Sequence, residues 1–212
     1  MTPPLRVVLG LWAVLLALTL TLSVLAAEHD TLPGDKGITS SVQDWPFPGQ
    51  DVSDAIRAVT GTEVVLATGA AAALVLWLRG YRRQALLLAA GLAVLPVMQF
   101  AVKEIVDRPR PTPELVDIRA GFDSPSFPSG HVSAATFLYG FLVYLSLTLP
   151  LARPGRWVLT LGSLAIVALG SVANVYLGVH WPSDVLGGWA WALVLLVPLC
   201  AADRWLATLH EI

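Results

Sequence analysis

Three short stretches hold the residue types that can move a phosphoryl group. They read Lys103-x6-Arg110-Pro111, Pro128-Ser129-Gly130-His131 and His180-x3-Asp184. Two histidines can serve as nucleophile and proton donor. Lysine and arginine can hold the equatorial phosphoryl oxygens, where transition-state charge gathers. An aspartate four residues beyond a histidine can hydrogen-bond one ring nitrogen, fix the tautomer and leave the other nitrogen to attack. Pro128 and Ser129 announce a helix start, whose free N–H groups favour an anion, and Gly130 lets the backbone come close. Pro109 and Pro111 stiffen the strand carrying Arg110. Each stretch alone has a plainer reading: a helix cap beside an interfacial histidine, an acid in a first helical turn, a basic loop on lipid headgroups. Together they point to metal-free chemistry on a phosphate ester.

The elements that position them are apolar. The chain has 212 residues, 56% hydrophobic and only 13% charged. Soluble domains carry about 25% charged residues, so this composition predicts an integral membrane protein. A spanning helix needs about 20 apolar residues. Six segments qualify or come close: 6–27, 62–79, 84–102, 131–150, 157–177 and 184–203. Short connections predict one all-α domain, a six-helix antiparallel bundle over residues 1–212. Residues 1–61 would give a first helix and an interfacial loop, and 62–203 the catalytic core. The first segment is read as a retained helix, although Val24-Leu25-Ala26-Ala27 resembles a signal-peptidase site.

Arginines set the orientation. Arg6, the group Arg79, Arg82 and Arg83, the pair Arg153 and Arg156, and Arg204 all fall on one side of an up-and-down path. That side should be cytoplasmic. The loops 28–61, 103–130 and 178–183 then share the opposite face, where all three stretches converge. Lys103, Arg108, Arg110 and Arg119 break the charge rule there, which is itself a functional hint. In the 28–61 loop, Pro33-Gly34-Asp35 and Trp45-Pro46-Phe47-Pro48-Gly49 read as turns. Val52, Ala55, Ile56 and Val59 recur at helical spacing, as an interfacial helix anchored by Trp45 and Phe47 or as an ordinary packed one. The single cysteine, Cys200, excludes an internal disulfide and reads as a buried apolar side chain. His29 and His210 read as interfacial. No Walker loop, His-x3-His pair or carboxylate cluster is visible, so neither cofactor nor metal is expected.

Over roughly residues 60–203 the chain resembles the type 2 phosphatidic acid phosphatases, or lipid phosphate phosphatases, which share a core with vanadium haloperoxidases. Their pattern is Lys-x6-Arg-Pro, Pro-Ser-Gly-His and Ser-Arg-x5-His-x3-Asp. The resemblance implies that His180 attacks phosphorus to form a phosphohistidine, Asp184 orients it and His131 protonates the leaving oxygen. It implies that Lys103, Arg110, Ser129 and Gly130 hold the phosphate. Substrate would be a lipid phosphate or a polyprenyl or lipid pyrophosphate such as undecaprenyl pyrophosphate, met outside the cytoplasm at a bacterial inner membrane. Membrane lipids would be the other partners, and nucleic acid none. One departure stands out. The family arginine six residues before the histidine is Asn174, and its serine is Ala173. Asn174 keeps hydrogen-bond donors for the phosphate but loses the charge and planar fork. Arg108 or Arg119 could reach in as a substitute, or the chain could be a weakened enzyme that binds phosphate lipids.

Overall fold

A computed structural model describes residues 5–208, which form eight helices and no strand. They are α1 Leu5–Glu28, α2 Asp35–Gln43, α3 Gln50–Thr60, α4 Thr62–Leu78, α5 Arg82–Val106, α6 Gly130–Thr148, α7 Arg153–Tyr176 and α8 Pro182–Thr208. Five are long and apolar enough to cross a membrane, and α3 with α4, bent by 51°, makes a sixth span. The six apolar segments of the sequence reappear within a few residues of their expected ends. Apolar side chains remain exposed along the bundle, among them Leu11, Leu18, Leu78, Val97 and Val158. In water that surface would be costly, and in a bilayer it is the ordinary outer face.

Helix α6 stands at the centre. Ala134, Phe137, Leu138 and Phe141 are fully buried and pack with Leu88 and Leu95 of α5 and Ala192 of α8. Close approach needs a missing side chain: a Cβ on Gly91 would stand 2.1 Å from Phe137 Cζ. Helix α1 lies on α8, where Trp12 Nε1 donates to Val194 O at 2.8 Å and Trp191 Nε1 to Ser23 Oγ at 3.2 Å. At one end of the bundle buried Asp203 accepts from Arg83 at 2.5 Å, Gln84 at 3.0 Å and Tyr144 at 2.6 Å, tying α5, α6 and α8 together.

The other end is covered by the two short helices. The 50–60 helix agrees with the helical spacing of Val52 to Val59. Helix α2 does not follow from the sequence, which shows turn chemistry at Pro33-Gly34-Asp35. Gly34 does turn, at φ 93°, but as the residue before a helix rather than inside a loop. Trp45 and Phe47 are half exposed. His29 is exposed, while His210 lies outside the described residues.

Candidate active site

Helix α7 ends at Tyr176, and the turn 177–181 carries His180 to α8. Gly178 has φ 66°, and a Cβ there would meet Asp117 O at 2.1 Å. Only glycine suits that left-handed, crowded position. The turn is pinned by Arg119 N–H donating to Leu177 O at 2.9 Å. His180 is thereby buried to 1% exposure.

Asp184 follows in the first turn of α8 and is fully buried. Its Oδ2 accepts from Ser126 Oγ at 2.5 Å and from the Trp181 N–H at 2.8 Å. Its Oδ1 accepts from Arg108 Nη1 at 2.6 Å. His180 Nδ1 stands 3.6 Å from Asp184 Oδ2, an ion-pair separation longer than a hydrogen bond. The spacing of the two residues led us to expect a direct hydrogen bond. The difference follows from Asp184 already serving three donors.

Arg110 comes from the loop after α5. Its Nη1 donates to Val179 O at 2.6 Å and lies 3.4 Å from His180 Nε2, while Nε donates to Ser124 O at 2.7 Å. The two nitrogens of His180 therefore face opposite charges, a carboxylate at Nδ1 and a guanidinium at Nε2. Burial draws the Arg110 guanidinium down to about 10, opposed by Asp184 and assisted by Arg57, so it stays charged at neutral pH.

Ser129 and Gly130 open α6 beside these groups. The Ser129 N–H donates to Asp184 O at 3.0 Å. Its hydroxyl does not cap the helix: Ser129 Oγ is buried with no hydrogen-bond partner. An orphaned buried hydroxyl is costly unless a ligand meets it. Lys103, in the last turn of α5, donates Nζ to Pro125 O, and a Cβ on Gly130 would lie 3.9 Å from its Cε. Gln99 Nε2 holds Gly130 O at 3.0 Å. His131 opens onto a cavity of about 530 Å³ lined also by Phe122, Arg57, Gly61, Thr62 and Glu63. The edge of the Phe122 ring meets His131 at 5.6 Å, and both Arg57, at 4.1 Å, and Arg110, at 4.5 Å, lie over that ring.

Asn174 sits in the last turn of α7, fully buried. Its amide donates to Gly170 O at 2.7 Å, and Oδ1 has no partner. The substitutes suggested by sequence are occupied elsewhere. Arg108 is buried behind Asp184, where Nη2 meets Asp35 Oδ2 at 2.8 Å and Nη1 meets Ser183 Oγ at 2.8 Å. Arg119 reaches Gln43 O at 3.4 Å and Asp117 Oδ2 at 3.3 Å and lies over Tyr176.

Sequence reasoning missed Asp35, Ser126, Phe122 and Arg57. Ser126 borders the second motif and Asp35 follows a turn glycine, but nothing in their spacing marks them. The apolar period of 52–59 drew attention to the side of α3 that carries Val52 and Val59, which is exposed, and away from Arg57.

Burial pushes the His180 imidazole down to about 3; Asp184 works against that shift, while Arg110 and Lys103 deepen it. The ring is neutral at physiological pH with a lone pair to give. Between about 3 and the ordinary 6.5 the unfolded chain binds a proton at His180 that the folded chain does not. Stability should therefore fall as pH drops through that window. Thermal unfolding in detergent, followed from about pH 7.5 to about pH 4.5, should show a smaller loss for His180→Gln than for wild type. Parallel curves would mean that His180 titrates normally in the fold.

A helical membrane bundle thus carries, at one end, a buried neutral histidine between a carboxylate and a cation, with a second histidine in the adjoining cavity. Such groups can supply acid–base and nucleophilic chemistry to a phosphoryl group. The chain belongs to the PAP2 superfamily, whose model matches residues 84–206. It is 34% identical over 95 residues to phosphatidylglycerophosphatase B of Bacillus subtilis (strain 168), covering 44% of this chain and 45% of that protein. It is 44% identical over 64 residues to an undecaprenyl-diphosphatase of Sulfolobus acidocaldarius, covering 30% of this chain and 27% of that one. The chain thus spans less than half the length of these curated relatives. The crystal structure of a transmembrane PAP2 type phosphatidylglycerolphosphate phosphatase from Bacillus subtilis shares the fold, with a TM-score of 0.70 and 21% identity over 91% of this chain and 96% of that one.

Proposed function

We propose that the protein is a metal-independent hydrolase of a lipid phosphate or of a polyprenyl or lipid pyrophosphate, working outside the cytoplasm at a bacterial cell membrane. The observation that carries this reading is the placement of His180 between Asp184 and Arg110, with Nε2 on the cationic side. An anionic phosphoryl group drawn to Arg110 arrives at the nucleophilic nitrogen. His180 Nε2 attacks phosphorus, the bond to the lipid oxygen breaks, and His131 gives that oxygen its proton. Water then attacks the phosphohistidine, His131 takes the proton from it, and inorganic phosphate leaves. Lys103, Arg110, Ser129, Gly130 and Asn174 hold the phosphate oxygens, and Ser129 Oγ is buried and unengaged for that purpose. The fixed cations neutralise transition-state charge, the task a metal performs elsewhere. The relatives' names, phosphatidylglycerophosphatase and undecaprenyl-diphosphatase, support both a lipid monophosphate and a lipid pyrophosphate as candidates.

Purified protein should release inorganic phosphate from one or more of phosphatidic acid, phosphatidylglycerophosphate and undecaprenyl pyrophosphate, at the same rate with and without EDTA. Loss of release on chelation would defeat the metal-free mechanism. A second reading, a phosphate-lipid binder with weakened catalysis, is favoured by the uncharged Asn174 amide. It predicts saturable binding of these lipids with no release.

The arginine distribution supports an extracytoplasmic site. Ser40, Thr112 and Gly155 are all exposed. With Cys200 replaced by serine, Ser40→Cys and Thr112→Cys should react with an impermeant thiol reagent in intact cells. Gly155→Cys should react only after lysis. The reverse pattern would put the site in the cytoplasm.

A further inference from the structure

The PAP2 pattern places an arginine where this chain has Asn174, and no other cation of the third motif is present to replace it. Asn174 gives one amide N–H to Gly170 O, and the N–H that remains carries no charge and no planar fork. Arg108 is committed to Asp184 and Asp35, and Arg119 is held by Gln43 O, Asp117 and the Tyr176 ring, with Nη1 buried and unpartnered. One more arginine reaches the site, from an element outside the residues 84–206 that define the family match.

Arg57 projects from α3 into the cavity that contains His131. Its guanidinium lies over Phe122 at 4.1 Å, the same ring that Arg110 covers at 4.5 Å and His131 meets at 5.6 Å. Three of the site's side chains are thus gathered on one aromatic ring. Arg57 Nε is buried without a hydrogen-bond partner, and no ion pair holds the guanidinium among the described residues. A guanidinium in that state has donors to give.

The register of α3 against α7 adds an independent reason. A Cβ on Gly170 would stand 3.2 Å from Thr60 Cγ2, so Thr60 lies against Gly170. The spans containing α4 and α7 cross in opposite directions, and α3 bends only 51° from α4. Helix α3 therefore runs counter to α7. One turn back from Thr60 is Arg57, and one turn on from Gly170 is Asn174. The arginine missing from α7 has its counterpart at the same level on the neighbouring helix.

We propose that Arg57 is a phosphate-binding residue, supplying from α3 the positive charge and planar fork that position 174 lacks. The inference rests on the reading of this cavity as a phosphoryl-transfer site. It deepens that reading by making the first 61 residues part of the oxyanion-binding machinery rather than a cover. The planar fork suits two oxygens of one phosphoryl group, which lysine cannot match.

Orthovanadate, a mimic of the phosphoryl transition state, tests this without requiring turnover. Its affinity for detergent-solubilised full-length protein can be measured by calorimetry, and the melting temperature of each variant reports folding. Arg57→Ala should weaken vanadate by about 100-fold, Arg57→Gln by a similar factor, and Arg57→Lys by less. Adding Asn174→Arg to Arg57→Ala should restore affinity by about 10-fold or more, which a merely structural role for Arg57 does not explain. Equal vanadate affinity in wild type, Arg57→Ala and Arg57→Gln, undetectable binding included, overturns the proposal. A double variant no tighter than Arg57→Ala overturns the equivalence of positions 57 and 174. If Arg57→Ala weakens vanadate while wild type releases no phosphate from any lipid, the phosphatase reading fails and the assignment of Arg57 as an oxyanion ligand stands.

Discussion

His180→Ala should reduce lipid phosphate hydrolysis by at least about 1,000-fold, to the level left by binding and fixed cations alone. The ring is held in one place by the Gly178 turn, buried to 1% exposure, and flanked by Asp184 and Arg110. Among the described residues, His180 is the histidine whose ring nitrogen lies beside that guanidinium. His131→Ala should behave differently. It removes the proton donor, so the loss in kcat/KM, which covers the steps up to leaving-group departure, should be large for a lipid alcohol and small for a nitrophenolate, which leaves without help. An assay with both substrate types separates the two histidines. Near wild-type hydrolysis by His180→Ala would contradict the nucleophile assignment, and equal losses on both substrates would contradict the role of His131.

Arg108→Met should destabilise the fold by about 3–5 kcal/mol, because it strands two buried carboxylates. Arg108 binds Asp184 at 2.6 Å and Asp35 at 2.8 Å, and the side chains of all three are nearly or wholly inaccessible. Asp35 also accepts from the Ser183 N–H at 3.0 Å and from Ser183 Oγ at 2.7 Å, which fastens α2 to the start of α8. The same network fixes Asp184, so activity should fall with stability. Melting in detergent measures the loss, and Arg108→Met combined with Asp35→Asn should recover part of it by removing one of the two stranded charges. An unchanged melting temperature for Arg108→Met would show that the triad contributes nothing to the fold.

The spans were legible because about 20 consecutive apolar residues leave a helix as the one structure that can satisfy its backbone in lipid. The convergence of Lys103, Arg110, Ser129, His131, His180 and Asp184 was legible from chain order, since an up-and-down bundle puts alternate connections at one end. What surrounds them was not. Asp35 supports Asp184 from 149 positions away, through Arg108 and Ser183, and neither charge periodicity nor spacing marks such a pairing. Ser126 looks like any loop serine until its hydroxyl is seen at 2.5 Å from Asp184. Arg108 stood in the sequence as a candidate phosphate clamp, whereas the structure turns it away from Arg110 and into the core. Arg57 was hidden because an amphipathic reading of α3 scores its apolar side.

The most direct measurement of the central claim is the covalent intermediate itself. Purified protein is mixed with a lipid phosphate carrying a radiolabelled phosphoryl group, quenched within milliseconds in alkali, digested and sequenced by mass spectrometry. An alkali-stable, acid-labile phosphate is expected on the peptide containing His180 and absent in His180→Ala; in His131→Ala it should accumulate when the phosphoryl group is supplied by a nitrophenyl phosphate, whose departure needs no acid while water attack is slowed. Phosphate release with no label on His180, or a label on another residue, would contradict it.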